Sequence, residues 1–140
     1  MHIMSKLSTS TLRFLEDQFE MYDDVNKIIA TRKVELDIVI HDENIGGGKS
    51  NQVSRPVENK VIKWDQDRVI KYYSTLKDNI DTVYRSMTPE QQEICRLKFW
   101  SGDYYSWNDL ADKLHYSSKT IYNKRYKILE KLAKQMGLLQ

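Results

Sequence analysis

SWNDLADKLHYSSKTIYNKRYKILEKL, residues 106–132, holds two helix starts eleven positions apart. Ser106-Trp107-Asn108-Asp109 has the S-x-x-D form of a capping box, in which side chains and backbone amides satisfy one another at a helix entrance. Leu110, Ala111 and Leu114 then fall on one inward face. His115-Tyr116 leaves room only for a short turn, and Ser117 is suited to cap a second helix on which Ile121, Ile128, Leu129 and Leu132 share a face. A small residue, Ala111, lets the two helices approach closely, and Ile121 is placed to pack beneath the turn. A short helix, a turn of two to four residues and a second helix have the logic of a helix-turn-helix, whose second helix enters the DNA major groove.

The outward face of that second helix follows from 100° per residue. With Ile121 inward, Lys119, Tyr122, Asn123 and Tyr126 point outward, and Lys127 lies at the edge of their stripe. An asparagine can bond an adenine edge in bidentate fashion, and a lysine can donate to guanine. A tyrosine offers a ring to thymine methyls and a hydroxyl to phosphate. Lys124, Arg125 and Lys127 are expected near flanking phosphates. Ser117 and Ser118, with the backbone amides of the helix start, are expected to hold another. The bland alternative for a basic helix face is a solvated surface with no ligand.

Upstream, Met87-Thr88-Pro89-Glu90-Gln91 combines a cap, a proline suited to a first helical turn and a glutamine that completes a capping box. Ile94, Leu97 and Cys95 supply an inward face, and Ser101-Gly102-Asp103 ends the helix. Before it, Ile62, Val69, Tyr73, Leu76, Ile80, Val83 and Met87 make a long helical stripe, assigned to residues 58–87. Glu43 to Val57, with three consecutive glycines and the Arg55-Pro56 step, reads as a Gly-rich linker over 43–57. Gly46-Gly47-Gly48-Lys49-Ser50 lacks the spacing of a nucleotide-binding phosphate loop.

Residues 1–42 form the N-terminal segment. Ser8 or Thr9 can cap a helix, and Leu12, Leu15, Phe19, Tyr22, Ile29, Leu36 and Ile40 recur in heptad steps once Asn26 and Lys33 are included. One long helix packing on another is the expected form; a self-associating coiled coil is the sharper alternative. Val34, Leu36, Ile38 and Ile40 also alternate as in a strand, which gives an earlier helix end as another reading. The fold class is therefore all-α: long N-terminal helices joined by a Gly-rich linker, then a helix-turn-helix module at 88–140.

Composition agrees. The chain has 140 residues, 40% of them hydrophobic and 30% charged, with only 5 glycines and 2 prolines to interrupt helices. The net charge is +2, but it is unevenly spread. Acids outnumber bases nine to four between Leu7 and Glu43, whereas residues 117–135 hold six bases and one acid. A basic segment on a near-neutral protein is a candidate nucleic-acid footprint. The single cysteine, Cys95, excludes an internal disulfide and reads as a small buried apolar residue in a reducing compartment. No apolar run is long enough to span a membrane, and Met1-His2-Ile3-Met4 lacks the regions of a signal peptide. His2, His41 and His115 lie far apart and form no metal-ligand motif; neither a catalytic centre nor a cofactor is expected.

Thr88 to Leu132 resembles region 4 of bacterial sigma factors, the part that reads a promoter element. The residues that carry the likeness are those of 106–132, ending in Leu-Glu-Lys-Leu. Arg125 stands where that pattern often has an aliphatic residue; its stem is expected to pack while its head reaches phosphate. By length and order the whole chain resembles the RinA/ArpU-type transcriptional regulators of phages in Gram-positive bacteria, with IGGGKSNQVSRPVE (residues 45–58) as the telling linker. That resemblance implies a cytoplasmic activator of late, packaging or lytic phage genes, with Ser118, Lys119, Tyr122 and Asn123 as the outward positions. The expected partners are double-stranded DNA, RNA polymerase and a second copy bound through the long helices. The competing reading is a helical protein-interaction module that binds RNA polymerase or another regulator.

Overall fold

The computed structural model describes residues 6–47 and 64–139, all helical apart from turns and short connections, with no strand among them. Among the described residues six helices of eight residues or more follow in order: α1 Thr9–Met21, α2 Val25–Gly47, α3 Arg68–Ser86, α4 Pro89–Phe99, α5 Trp107–Leu114 and α6 Ser118–Gln135. A 3-10 turn, Tyr22–Asp24, separates α1 from α2. The chain forms two compact units. One runs up to Asp23 and resumes at Asp78; the other is Asp24–Lys77.

The first unit carries most of the core. Ser8 caps α1, its hydroxyl accepting the Thr11 N–H at 3.1 Å. Leu15 and Phe19, one turn apart on α1, are fully buried. Phe19 stacks on Phe99 of α4 with ring centroids 4.9 Å apart, and its carbonyl accepts the Trp100 indole N–H at 2.7 Å. Around that indole, Tyr22 and Tyr84 lie with centroids 5.2 and 5.6 Å away. The Tyr22 hydroxyl donates to Asp81; this bond, with burial second, pushes the phenol up to about 12. Thus α1 packs against α4 and α6, while α5 packs against α4 and α6. Ile80, Val83, Met87, Ile94, Cys95, Leu110, Ile121, Ile128, Leu129 and Leu132 complete the interior. Burial pushes the Cys95 thiol up to about 12, which removes it as a thiolate nucleophile at neutral pH.

In the second unit, Arg32 of α2 grips Asp67 through Nε at 3.0 Å and Nη2 at 2.8 Å. Asp67 also caps α3 by accepting the Ile70 N–H at 3.0 Å. Arg32 first, then the Ile70 N–H, hold the Asp67 carboxyl below its ordinary range against the opposing effect of burial. Lys33 lies over the Trp64 ring, 4.6 Å from its centroid.

Four expectations from sequence are altered. The single N-terminal helix is broken at Tyr22, and the tightened 3-10 turn shifts the inward stripe by one residue, so that Val25 is buried and Asn26 exposed. Helix α2 continues to Gly47, beyond the expected limit at 42. Each helical glycine costs about 1 kcal/mol, a cost a helix already propagating can absorb in its last turn. The remaining linker residues, 48–57, lie outside the described residues, as does Ile62. The second long helix does not run unbroken from 58. Residues 64–66 are helical, Asp67 interrupts, and α3 begins at Arg68 with Ile70 buried and Val69 exposed. Finally, α1 belongs with the C-terminal helices rather than with α2, so the expected module at 88–140 is only part of a larger compact unit.

Candidate nucleic-acid interface

Helix α5 is set at both ends by local chemistry. Ser106 accepts the Asp109 N–H at 3.0 Å, and Asp109 returns the bond to the Ser106 N–H at 3.1 Å. At the other end the Tyr116 N–H bonds the Ala111 carbonyl at 2.8 Å and the His115 N–H bonds the Asp112 carbonyl at 3.3 Å. This is the Schellman arrangement, in which one left-handed residue closes the helix. His115 fills that place at φ 65°. The chain reverses within two residues, and Ser117 caps α6 by accepting the Thr120 N–H at 3.1 Å. Ala111 and Ile121 are buried beneath the turn. The Ser118 hydroxyl donates to the Asn108 side chain at 2.8 Å, tying the beginnings of α5 and α6 together.

The nine residues singled out from sequence divide into two sets. Ser118, Lys119, Tyr122, Asn123 and Lys127 are exposed, as is Ser117, whose hydroxyl is engaged in the cap. Lys119, Asn123 and Lys127 follow at intervals of four, a stripe about 12 Å long at 1.5 Å per residue, and among the described residues none of their side chains has a hydrogen-bond or ion-pair partner. Tyr122 is 43% exposed beside this stripe.

The second set faces the body of the protein. The Lys124 ammonium lies 2.7 Å from Glu90 and over the Tyr116 ring, 4.9 Å from its centroid. Tyr116 donates its hydroxyl to the same glutamate at 2.5 Å. Lys124 first and Tyr116 second hold the Glu90 carboxyl below its ordinary range, and Glu90 in turn raises the Tyr116 phenol. Arg125 donates to both oxygens of Glu16 on α1, at 2.9 and 3.2 Å. Glu16 also accepts the Trp107 indole N–H at 2.6 Å. One carboxylate therefore joins α1, α5 and α6. The Tyr126 hydroxyl accepts the Leu7 N–H at 3.0 Å.

Two expectations are corrected by this geometry. Lys124 and Arg125 were placed at flanking phosphates, but their charges are taken up by Glu90 and Glu16. The outward stripe is centred on Lys119, Asn123 and Lys127, with Tyr126 half-buried at its margin. The reason is that Ile121, Ile128, Leu129 and Leu132 together define the inward direction, which lies about 20° from that of Ile121 alone. Sequence reasoning also missed Glu16, Glu90 and Asn108. Glu16 and Glu90 lie 109 and 34 positions from their partners, and no local signal marks such pairs.

Among the described residues, no group of three or more histidine, cysteine or carboxylate side chains is arranged to hold a metal ion, and no helix is long and apolar enough to cross a membrane. The sequence model of a family described as "Protein of unknown function (DUF722)" matches residues 9–134, from the start of α1 into the last turn of α6. No curated protein and no solved structure matches the chain.

Proposed function

We propose that this chain, which belongs to the DUF722 family, is a sequence-specific transcriptional regulator that reads double-stranded DNA with α6. The observation that carries this reading is the division of charge on that helix. Its body-facing cations, Lys124 and Arg125, are paired with Glu90 and Glu16, while Lys119, Asn123 and Lys127 face outward with no hydrogen-bond or ion-pair partner among the described residues. An α-helix about 10–12 Å across with its side chains fits the major groove, which is about 12 Å wide. Asn123 and Lys119 have the chemistry to read base edges, and Tyr122 can reach a thymine methyl or a phosphate. Ser117 and Ser118 stand where the free amides of a helix start can receive a phosphate.

The likeness to RinA/ArpU-type regulators makes activation of late phage genes, in the cytoplasm of a bacterial host, the biological setting we propose. It also makes RNA polymerase a candidate partner. No catalytic step is assigned. One recognition helix contacts few base pairs, so a second copy is proposed to supply a second half-site. Exposed Val34 and Ile38 on α2 and Val69 on α3 offer apolar area for such pairing.

The test is binding to genomic DNA fragments at two salt concentrations, comparing wild type with Lys119→Ala/Asn123→Ala. Selective, salt-sensitive retention that the double variant loses supports the reading. A folded wild-type protein that retains no DNA at low salt refutes it and moves the weight to a protein-interaction module.

A further inference from the structure

The outward charge on α6 does not stop at the stripe assigned to base reading. Thr82, Val83 and Ser86 of α3 and Lys131, Lys134 and Gln135 of α6 line a groove of about 300 Å³. Among the described residues, no carboxylate lines it. Arg85 donates to Thr82 at 3.5 Å, which brings a guanidinium to the rim. Lys134 is exposed and Lys131 half-exposed, and among the described residues neither has an ion-pair partner. Glu130, the one acid in residues 117–135, stands one turn from Lys134, yet no ion pair joins them. The contrast with Lys124 and Arg125 is informative: where α6 meets the body its cations meet glutamates, and here two lysines, two hydroxyl side chains and an amide line an open concavity.

We infer that this groove receives a phosphodiester of the DNA flanking the sequence read by the first half of α6. The inference rests on the DNA-binding reading and adds a second, sequence-independent contact to it. Lys134 lies fifteen positions beyond Lys119, which is about 22 Å along the helix axis at 1.5 Å per residue. At about 3.4 Å per nucleotide step that separation equals the length of about six to seven base pairs. Base edges are within reach of the front of the helix, and the backbone is what the far end meets as the helix leaves the groove. Lysines there neutralise phosphates and release counterions, so they strengthen binding to any sequence alike.

The experiment uses the full chain, a duplex recovered by the wild type from genomic fragments, and a scrambled duplex of equal length. Affinity is measured across a salt series for wild type, Lys131→Ala/Lys134→Ala and Lys131→Arg/Lys134→Arg, with circular dichroism as the check on folding. Each phosphate contact contributes about 0.9 to the slope of log affinity against log salt, so two lost contacts flatten it by about 1.8. Between 50 and 200 mM salt the wild type should then lose roughly tenfold more affinity than the alanine variant. Both duplexes should weaken by the same factor, and the arginine variant should restore the wild-type slope. An alanine variant with the wild-type slope, or one that loses affinity for one duplex only, overturns the groove assignment while leaving the DNA-binding reading intact. A wild type that binds neither duplex removes the reading beneath it.

Discussion

The two faces of α6 carry similar residues and do different work. On the face toward the body, Arg125 and Lys124 are held by carboxylates from α1 and α4, and Ile121, Ile128 and Leu129 are fully buried. On the opposite face, Lys119, Asn123 and Lys127 meet no partner among the described residues. The difference shows that a count of basic residues overstates the charge available to a ligand. Of the six bases between 117 and 135, two are already neutralised within the protein.

The comparison breaks most severely on the inward face. Ile121→Ala should destabilise the protein by about 2–5 kcal/mol, because the residue is fully buried beneath the turn and its removal leaves a cavity. Urea unfolding checks this; a loss below about 1 kcal/mol would mean that the turn does not rest on that side chain. Glu16→Ala should cost about 1–3 kcal/mol, since it strands the half-buried Arg125 guanidinium and the Trp107 N–H together. In a double-mutant cycle with Arg125→Ala the two losses should be non-additive. Additive losses would show that the contact carries no coupling.

Acid should loosen the same face. Glu90 titrates below its ordinary range because of Lys124 and then Tyr116, so its contribution is present above the unfolded carboxylate value near 4.3 and is lost as pH falls through the lower folded value. Asp67, depressed by Arg32, adds a contribution of the same sign in the other unit. Thermal unfolding followed from pH 7 to pH 3 should show stability falling in acid, and Glu90→Gln should flatten that fall. An unchanged profile in the variant would remove Glu90 from the account.

Smaller effects belong to the turn and the outward face. His115 holds a left-handed conformation that costs an L residue roughly 1–2 kcal/mol, whereas α6 closes with the same pattern of bonds on Gly137 at φ 81°. After the greater entropy glycine loses on folding is deducted, His115→Gly should stabilise by about 0.5 kcal/mol. A loss of stability would mean that the imidazole makes a compensating contact. Lys119→Ala should change stability by less than about 0.5 kcal/mol, because its side chain is exposed and has no hydrogen-bond or ion-pair partner among the described residues.

The parts of this molecule that were legible in sequence are those fixed within four residues. The boxes Thr88/Gln91 and Ser106/Asp109 and the cap at Ser117 are written in local spacing, and all three form as that spacing predicts. The left-handed close at His115 was legible only as a short turn, since histidine carries none of glycine's signal. The N-terminal stripe was misread because a heptad count assumes constant pitch. The 3-10 turn at Tyr22–Asp24 consumes the chain in tighter steps, and Val25 replaces Asn26 on the inward side. The roles of Arg125 and Lys124 were hidden for a different reason. A cation destined for phosphate and a cation destined for a glutamate look alike until the fold brings Glu16 or Glu90 beside it. The membership of α1 in the C-terminal unit was hidden likewise, because it depends on Phe19 meeting Phe99 and Trp100 across some eighty residues.

The central claim is that the outward face of α6 is the surface that meets DNA. The most direct measurement is a titration of the isotopically labelled protein with a bound duplex, following backbone amide resonances. The account predicts the largest shifts at the start of α6, from Ser117 to Lys127, with the interior of α1 and α4 little changed. Specific binding that shifts amides elsewhere and leaves 117–127 unmoved would contradict it.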